Sequence, residues 1–205
     1  MRSKYKNKKV TLFPKMSDNH KTESKNFFGF WIYIMTDCIM FSALFATYAV
    51  LRNNIHDGLA AKDLFSMPYV LSETIILLTS SFTYGLAILT ARQNLKRAAL
   101  SFLAITFVLG VSFIAMEINE FYHLAHHGNS WSRSAFLSAF FTLVGTHGLH
   151  VTVGLIWMLS VGLQVFFRGI NEKTLPKLSY LGLFWHFLDI VWIFVFTIVY
   201  LMGAI

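Results

Sequence analysis

Charge is scarce in this sequence: Asp, Glu, Lys and Arg together make up 13% of its 205 residues. A soluble globular domain carries about 25%. With 56% hydrophobic residues beside that shortage, most of the surface must face lipid rather than water. The same composition excludes disorder for most of the chain. Cysteine occurs once, at Cys38, which excludes an intrachain disulfide and any multi-thiolate metal site. The three prolines, Pro14, Pro68 and Pro176, all lie outside the long apolar runs. No hydrolase triad, phosphate-cradling glycine loop or dinucleotide fingerprint is present. The segment Gly145-Thr146-His147-Gly148-Leu149-His150 contains glycine but lies inside an apolar run, where helix contact explains it better than phosphate binding.

A helix needs about 20 apolar residues to cross the hydrocarbon. Five segments qualify: 27–51, 69–91, 98–118, 134–167 and 179–204. The expected fold is therefore all-α, an integral membrane bundle of five transmembrane helices. Residues 27–205 form the membrane domain. Residues 1–26 form a basic tail, expected to be disordered. Val10 to Phe13 is too short for the core of an export signal, so the tail is expected to stay with the protein.

The net charge of +7 is placed for a membrane rather than a nucleic acid. Eight Lys/Arg lie in the tail, three join the second and third spans, and three join the fourth and fifth. That is fourteen on one side against Arg52, Lys62 and Arg133 on the other. The positive-inside rule puts the N-terminus in the cytoplasm and the C-terminus in the periplasm. No nucleic-acid partner is expected. Phe30-Trp31 before Asp37 and Phe184-Trp185 before Asp189 differ in spacing, so no internal repeat of the transporter kind is indicated.

Ionisable groups inside such spans are costly and mark packing or function. At about 1.5 Å of rise per residue, Asp37 lies roughly 15 Å into the first span. His147 and His150 lie well inside the fourth, and His186 and Asp189 about 10–16 Å into the fifth. Each of the latter pairs is spaced i, i+3 and shares a helix face. These five residues are the candidates for a membrane-embedded polar network or a lipid cleft. The three histidines are the candidate partners of Asp37. The spacing also admits metal or heme ligation. With no thiolate and no second His pair, structural, lipid-binding or proton-linked roles fit better.

Glu120 and His123 form one Glu-x-x-His, but a di-iron bundle needs two such motifs and two further carboxylates. Glu73, Glu117, Glu120 and His123 are therefore expected as polar groups at the outer interface. Glu73 lies about 6 Å from the edge, where water can reach it. No catalytic and no metal-binding residue is expected in this chain.

Several stretches resemble a known family. They are Phe28-Gly29-Phe30-Trp31-Ile32-Tyr33, Asp37-Cys38-Ile39, Leu44-Phe45-Ala46-Thr47-Tyr48-Ala49-Val50-Leu51 and Phe136-Leu137-Ser138-Ala139-Phe140-Phe141. Most specific are Gly145-Thr146-His147-Gly148-Leu149-His150-Val151 together with Trp185-His186-Phe187-Leu188-Asp189-Ile190-Val191-Trp192. Over residues 27–205 the sequence resembles subunit III of heme–copper respiratory oxidases, most of all the quinol-oxidising cytochrome o branch. The resemblance implies a non-catalytic accessory subunit of a proton-pumping, oxygen-reducing complex in the bacterial inner membrane. Its implied partners are catalytic subunit I, the other subunits and membrane lipids. It further implies that heme and copper belong to partner subunits, and that this chain holds phospholipid and supports proton uptake. The family's acidic residue matched by Asp37 is typically Glu and reacts with carbodiimides, and the aspartate departs from that pattern. Two alternatives stand beside this: subunit III of a bacterial cytochrome c oxidase, and a stand-alone proton-linked transporter.

Overall fold

The computed structural model describes residues 15–52, 67–126, 134–171 and 173–203, with side chains up to residue 24 and at 26 left aside. Five long helices account for almost all of it: α1 (Lys15–Leu51), α2 (Met67–Arg92), α3 (Lys96–His126), α4 (Ala135–Arg168) and α5 (Thr174–Val195). A π-helical segment, Phe196–Leu201, continues α5. No strand occurs among the described residues. All five helices are long and apolar enough to cross a membrane.

The helical choice follows from the solvent. Lipid offers no hydrogen bonds, so every backbone group must pair within its own segment. Polar side chains in the spans obey the same rule by bonding back one turn. Thr47 donates to the Ala43 carbonyl, Thr79 to Ile75 and Thr152 to Gly148, at 2.7–2.9 Å. Pro68 sits in the first turn of α2, where its missing N–H is not needed. Ser134 caps α4 by accepting from the Leu137 amide at 3.2 Å. Asn94, at φ 59°, turns the chain between α2 and α3, and Gly169, at φ 74°, ends α4.

Two boundaries differ from expectation. Helix α1 begins at Lys15, so residues 15–26, read from composition as tail, are helical; residues 1–14 lie outside the described residues. Helix α3 runs to His126 rather than stopping near residue 118. Glutamate has good helix propensity, so its charge there did not mark an end. The carboxylates of α3, at Glu117 and Glu120, consequently lie more than one turn inside the helix.

The bundle is ordered by its last helix. α5 packs against α4, α2 and α1, while α2–α3, α3–α4 and α1–α4 are the other main contacts. Between helices in lipid there is no hydrophobic drive, so close fit and hydrogen bonds must hold them. Gly182 of α5 lets Tyr84 and Ile88 of α2 approach, and the Tyr84 hydroxyl reaches the Leu178 carbonyl at 2.8 Å. The Trp185 indole N–H donates to Ser80 Oγ, and that of Trp192 to Thr74 Oγ1, both at 3.1 Å. Gly85 faces open space instead of a neighbouring helix. Ser81, one turn before it, forms a hydrogen bond with His186 of α5.

A polar interior in two layers

The five candidates for the polar network divide into two pairs and one enclosed ring. Asp37, on α1, is buried, and its Oδ2 lies 3.9 Å from His150 Nε2 on α4. Of the three histidines at similar depth, His150 is the one brought to Asp37. The other ring nitrogen of His150, Nδ1, is 2.7 Å from the Thr146 carbonyl one turn back. That carbonyl can only accept, so Nδ1 carries the proton, and Nε2, when neutral, presents a lone pair toward Asp37.

The second pair lies on α5. His186 Nδ1 is 3.9 Å from Asp189 Oδ2, and the Ser81 hydroxyl of α2 is 2.6 Å from the same nitrogen. Both Asp189 oxygens are buried without a hydrogen-bond partner among the described residues. The His186 side chain is 45% exposed, so this pair opens to the bundle surface on one side.

His147 is wholly buried, and neither ring nitrogen has a hydrogen-bond partner among the described residues. Aromatic rings enclose it: Trp192 at 5.2 Å, Phe113 edge-on at 5.9 Å and Phe41 at 6.4 Å between centroids. A neutral imidazole fits this cage, because an imidazolium would sit in it without a counter-charge. Among the described residues no group of three or more His, Cys, Asp or Glu is disposed to hold a metal ion.

The acidic residues expected at the outer interface lie inside the bundle. Glu73 has no exposed surface, Glu117 is 3% exposed and Glu120 is 9% exposed. Glu73 therefore faces the bundle rather than its surface, which differs from the expectation of a side chain open to water. The reason is phase. Gly110, Phe113, Glu117, Glu120 and Leu124 form the buried stripe of α3, and Val70, Glu73, Thr74 and Leu77 that of α2. The three carboxyl groups lie within electrostatic reach of one another. Tyr200 donates to Glu120 Oε2 at 2.9 Å. The π-helical segment supplies that contact: its turn, closed by Met202 N–H donating to the Thr197 carbonyl at 2.9 Å, holds an extra residue and so carries Tyr200 less far around the axis than an α-turn would. His123, by contrast, is exposed.

Glu117 lies directly against α4. A Cβ built on Gly148 would fall 2.6 Å from Glu117 Oε2 and closer still to Oε1. Gly148→Ala should therefore destabilise the chain by about 1–3 kcal/mol. Glu117→Ala in the same chain should recover most of that loss, a coupling of about 1 kcal/mol or more. Thermal dissociation in detergent of the two single variants and the double variant measures it. Additive losses would mean that Glu117 does not occupy the hollow at Gly148.

Residues 15–204 match the family described as Cytochrome c oxidase subunit III. The chain belongs to that family. It is 56% identical over 186 residues to cytochrome bo(3) ubiquinol oxidase subunit 3 of Pseudomonas aeruginosa, covering 91% of this chain and 89% of that protein. The Pseudomonas putida protein of the same description is 51% identical, over 91% and 90% of the two chains. A cytochrome c oxidase subunit 3 from a Bacillus species is 44% identical over 94% of each. Five membrane-capable helices and these bacterial relatives make this subunit III a multi-pass protein of the bacterial inner membrane. The family is that of a heme–copper oxidase subunit, and the stand-alone transporter falls away.

Proposed function

We propose that this chain is the non-catalytic accessory subunit III of a proton-pumping terminal quinol oxidase. It packs on catalytic subunit I, holds phospholipid, and supports proton uptake and sustained turnover. Heme and copper reside in the partner subunits, where quinol is oxidised and oxygen reduced to water. The observation that carries this is the 56% identity, over nine-tenths of both chains, to a relative described as a ubiquinol oxidase subunit 3. The enclosed His147 and the Asp37–His150 pair support a positioning role. Each is a polar group set between helices of the bundle. A cytochrome c oxidase is the second reading, favoured by the name of the Bacillus relative.

Purification through a tag on this chain in mild detergent tests the assignment. Large partner subunits bearing heme and copper are expected, and the particle should oxidise quinol but not reduced cytochrome c. Oxidation of cytochrome c instead would select the second reading, and recovery of the chain alone would contradict both. The same tagged chain reports topology. The fourteen-to-three bias of basic residues predicts a cytoplasmic N-terminus and a cytoplasmic loop after Arg168, with the C-terminus outside. A periplasmic N-terminus would overturn that orientation.

A further inference from the structure

One groove on the outer surface of the bundle is separate from the polar interior. It runs between α3 and α4 at the end bearing Lys96, with a volume of about 300 Å³. Its floor is Leu103, Met158 and Gly162, and its walls include Phe107, Leu159 and Phe166. Gly162 keeps the floor open: a Cβ there would already stand 3.2 Å from Leu103. The lining from Leu100 to Val108 spans about 12 Å of helix. That is most of one leaflet's share, about 15 Å, of the hydrocarbon core.

The mouth of the groove is cationic. Lys96 Nζ donates to the Phe166 carbonyl at 2.8 Å and stands 5.9 Å from the centre of the Phe166 ring. Its ammonium is thus fixed beside a wall residue, and only one of its three donors is used in that bond. Arg97 follows, and Arg92 ends the helix before it. No acidic residue occurs between Glu73 and Glu117, or between Glu120 and Glu172. The α3 carboxylates lie about 30 Å along the helix from Lys96. Among the described residues, the charged groups nearest this mouth are therefore basic. The second, positive group of a zwitterionic headgroup would be repelled there.

We propose that this groove binds one acyl chain of an anionic glycerophospholipid whose phosphate rests on Lys96 and Arg97. The inference rests on the reading of the chain as a lipid-holding oxidase subunit, and adds the site and the headgroup class. Apolar walls take the chain, and the basic mouth selects the head.

The test uses the intact oxidase complex in lipid nanodiscs containing a phosphatidylglycerol with a photoreactive acyl chain, and separately the matching phosphatidylcholine. Labelling is read per copy of this chain, on peptides covering 100–108 and 158–166. Phosphatidylglycerol should label these peptides several-fold more than phosphatidylcholine. Lys96→Gln should lower phosphatidylglycerol labelling about fivefold and leave phosphatidylcholine labelling unchanged. Ala104→Phe, which fills the groove from its lipid-exposed side, should lower both. Equal labelling by the two lipids in the unmodified complex would overturn the proposal. So would crosslinking of these peptides to a helix of another subunit in place of lipid. Failure of the oxidase assignment reads out differently, as absence of heme- and copper-bearing subunits from the purified particle.

Discussion

Trp185→Ala is expected to destabilise the chain by about 3–4 kcal/mol, enough to release it from a purified complex on mild heating. In lipid the usual term for moving a side chain out of water falls away, because the tails are as apolar as the core. What remains is the void. Trp185 is 1% exposed and packs on Gly110 of α3 and Gly154 of α4, whose missing side chains leave room for its ring. A cavity of about 150 Å³ at about 24 cal/mol per Å³ gives the stated loss. Ser80 is not orphaned by the change, since its hydroxyl also reaches the Thr106 carbonyl at 3.4 Å. Trp185→Phe separates volume from hydrogen bonding. It keeps most of the ring, loses the N–H to Ser80, and should cost about 1 kcal/mol. Thermal dissociation of the purified complex measures both variants. Equal, mild effects would mean that Trp185 does not tie α3, α4 and α5 together.

Asp37→Asn is expected to leave assembly and the initial oxidase rate largely intact, while shortening the period of sustained turnover several-fold. Asparagine keeps the shape of the side chain and its capacity to hydrogen-bond, and removes the charge. Truncating one member of a buried ion pair usually strands the other. His150 escapes that penalty because imidazole can be neutral and already has the Thr146 carbonyl for its Nδ1 proton. Packing around the pair, with Phe41 at 5.3 Å from the His150 ring, is untouched. What changes is the one acidic group within the apolar run 27–51 of α1. Oxygen uptake followed from the first turnovers to inactivation in vesicles, with proton release, measures rate and lifetime together. An unchanged lifetime would remove Asp37 from any part in proton uptake.

Much of this arrangement is written in the sequence, and the exceptions have physical causes. Five apolar runs of spanning length leave the backbone no alternative to helix, so α1 to α5 are legible from hydropathy. The spacing of His147 and His150 placed both on α4, but the sequence does not say which imidazole meets Asp37. One hundred degrees per residue separates a ring that reaches α1 from a ring caged by Trp192 and Phe113. The burial of Glu117 and Glu120 was readable in principle, because they continue the stripe of Gly110 and Phe113. Charge alone points to a helix end at the interface, and only the stripe points into the bundle. Tyr200 gave no such signal. The π-helical turn that carries it to Glu120 has neither proline nor glycine within Phe196–Leu201. Nothing in the sequence around Ser81 marks it either, until His186 is brought beside it from α5.

The central claim is that this chain sustains an oxidase without taking part in its chemistry. Its most direct test is the initial quinol-oxidase rate, with heme and copper content per catalytic subunit, of the complex purified with and without this chain. The expected result is an unchanged metal content and a largely preserved initial rate, followed by early inactivation in the complex that lacks it. Loss of a heme absorption band, or of the initial rate itself, from an otherwise intact catalytic subunit would contradict the claim.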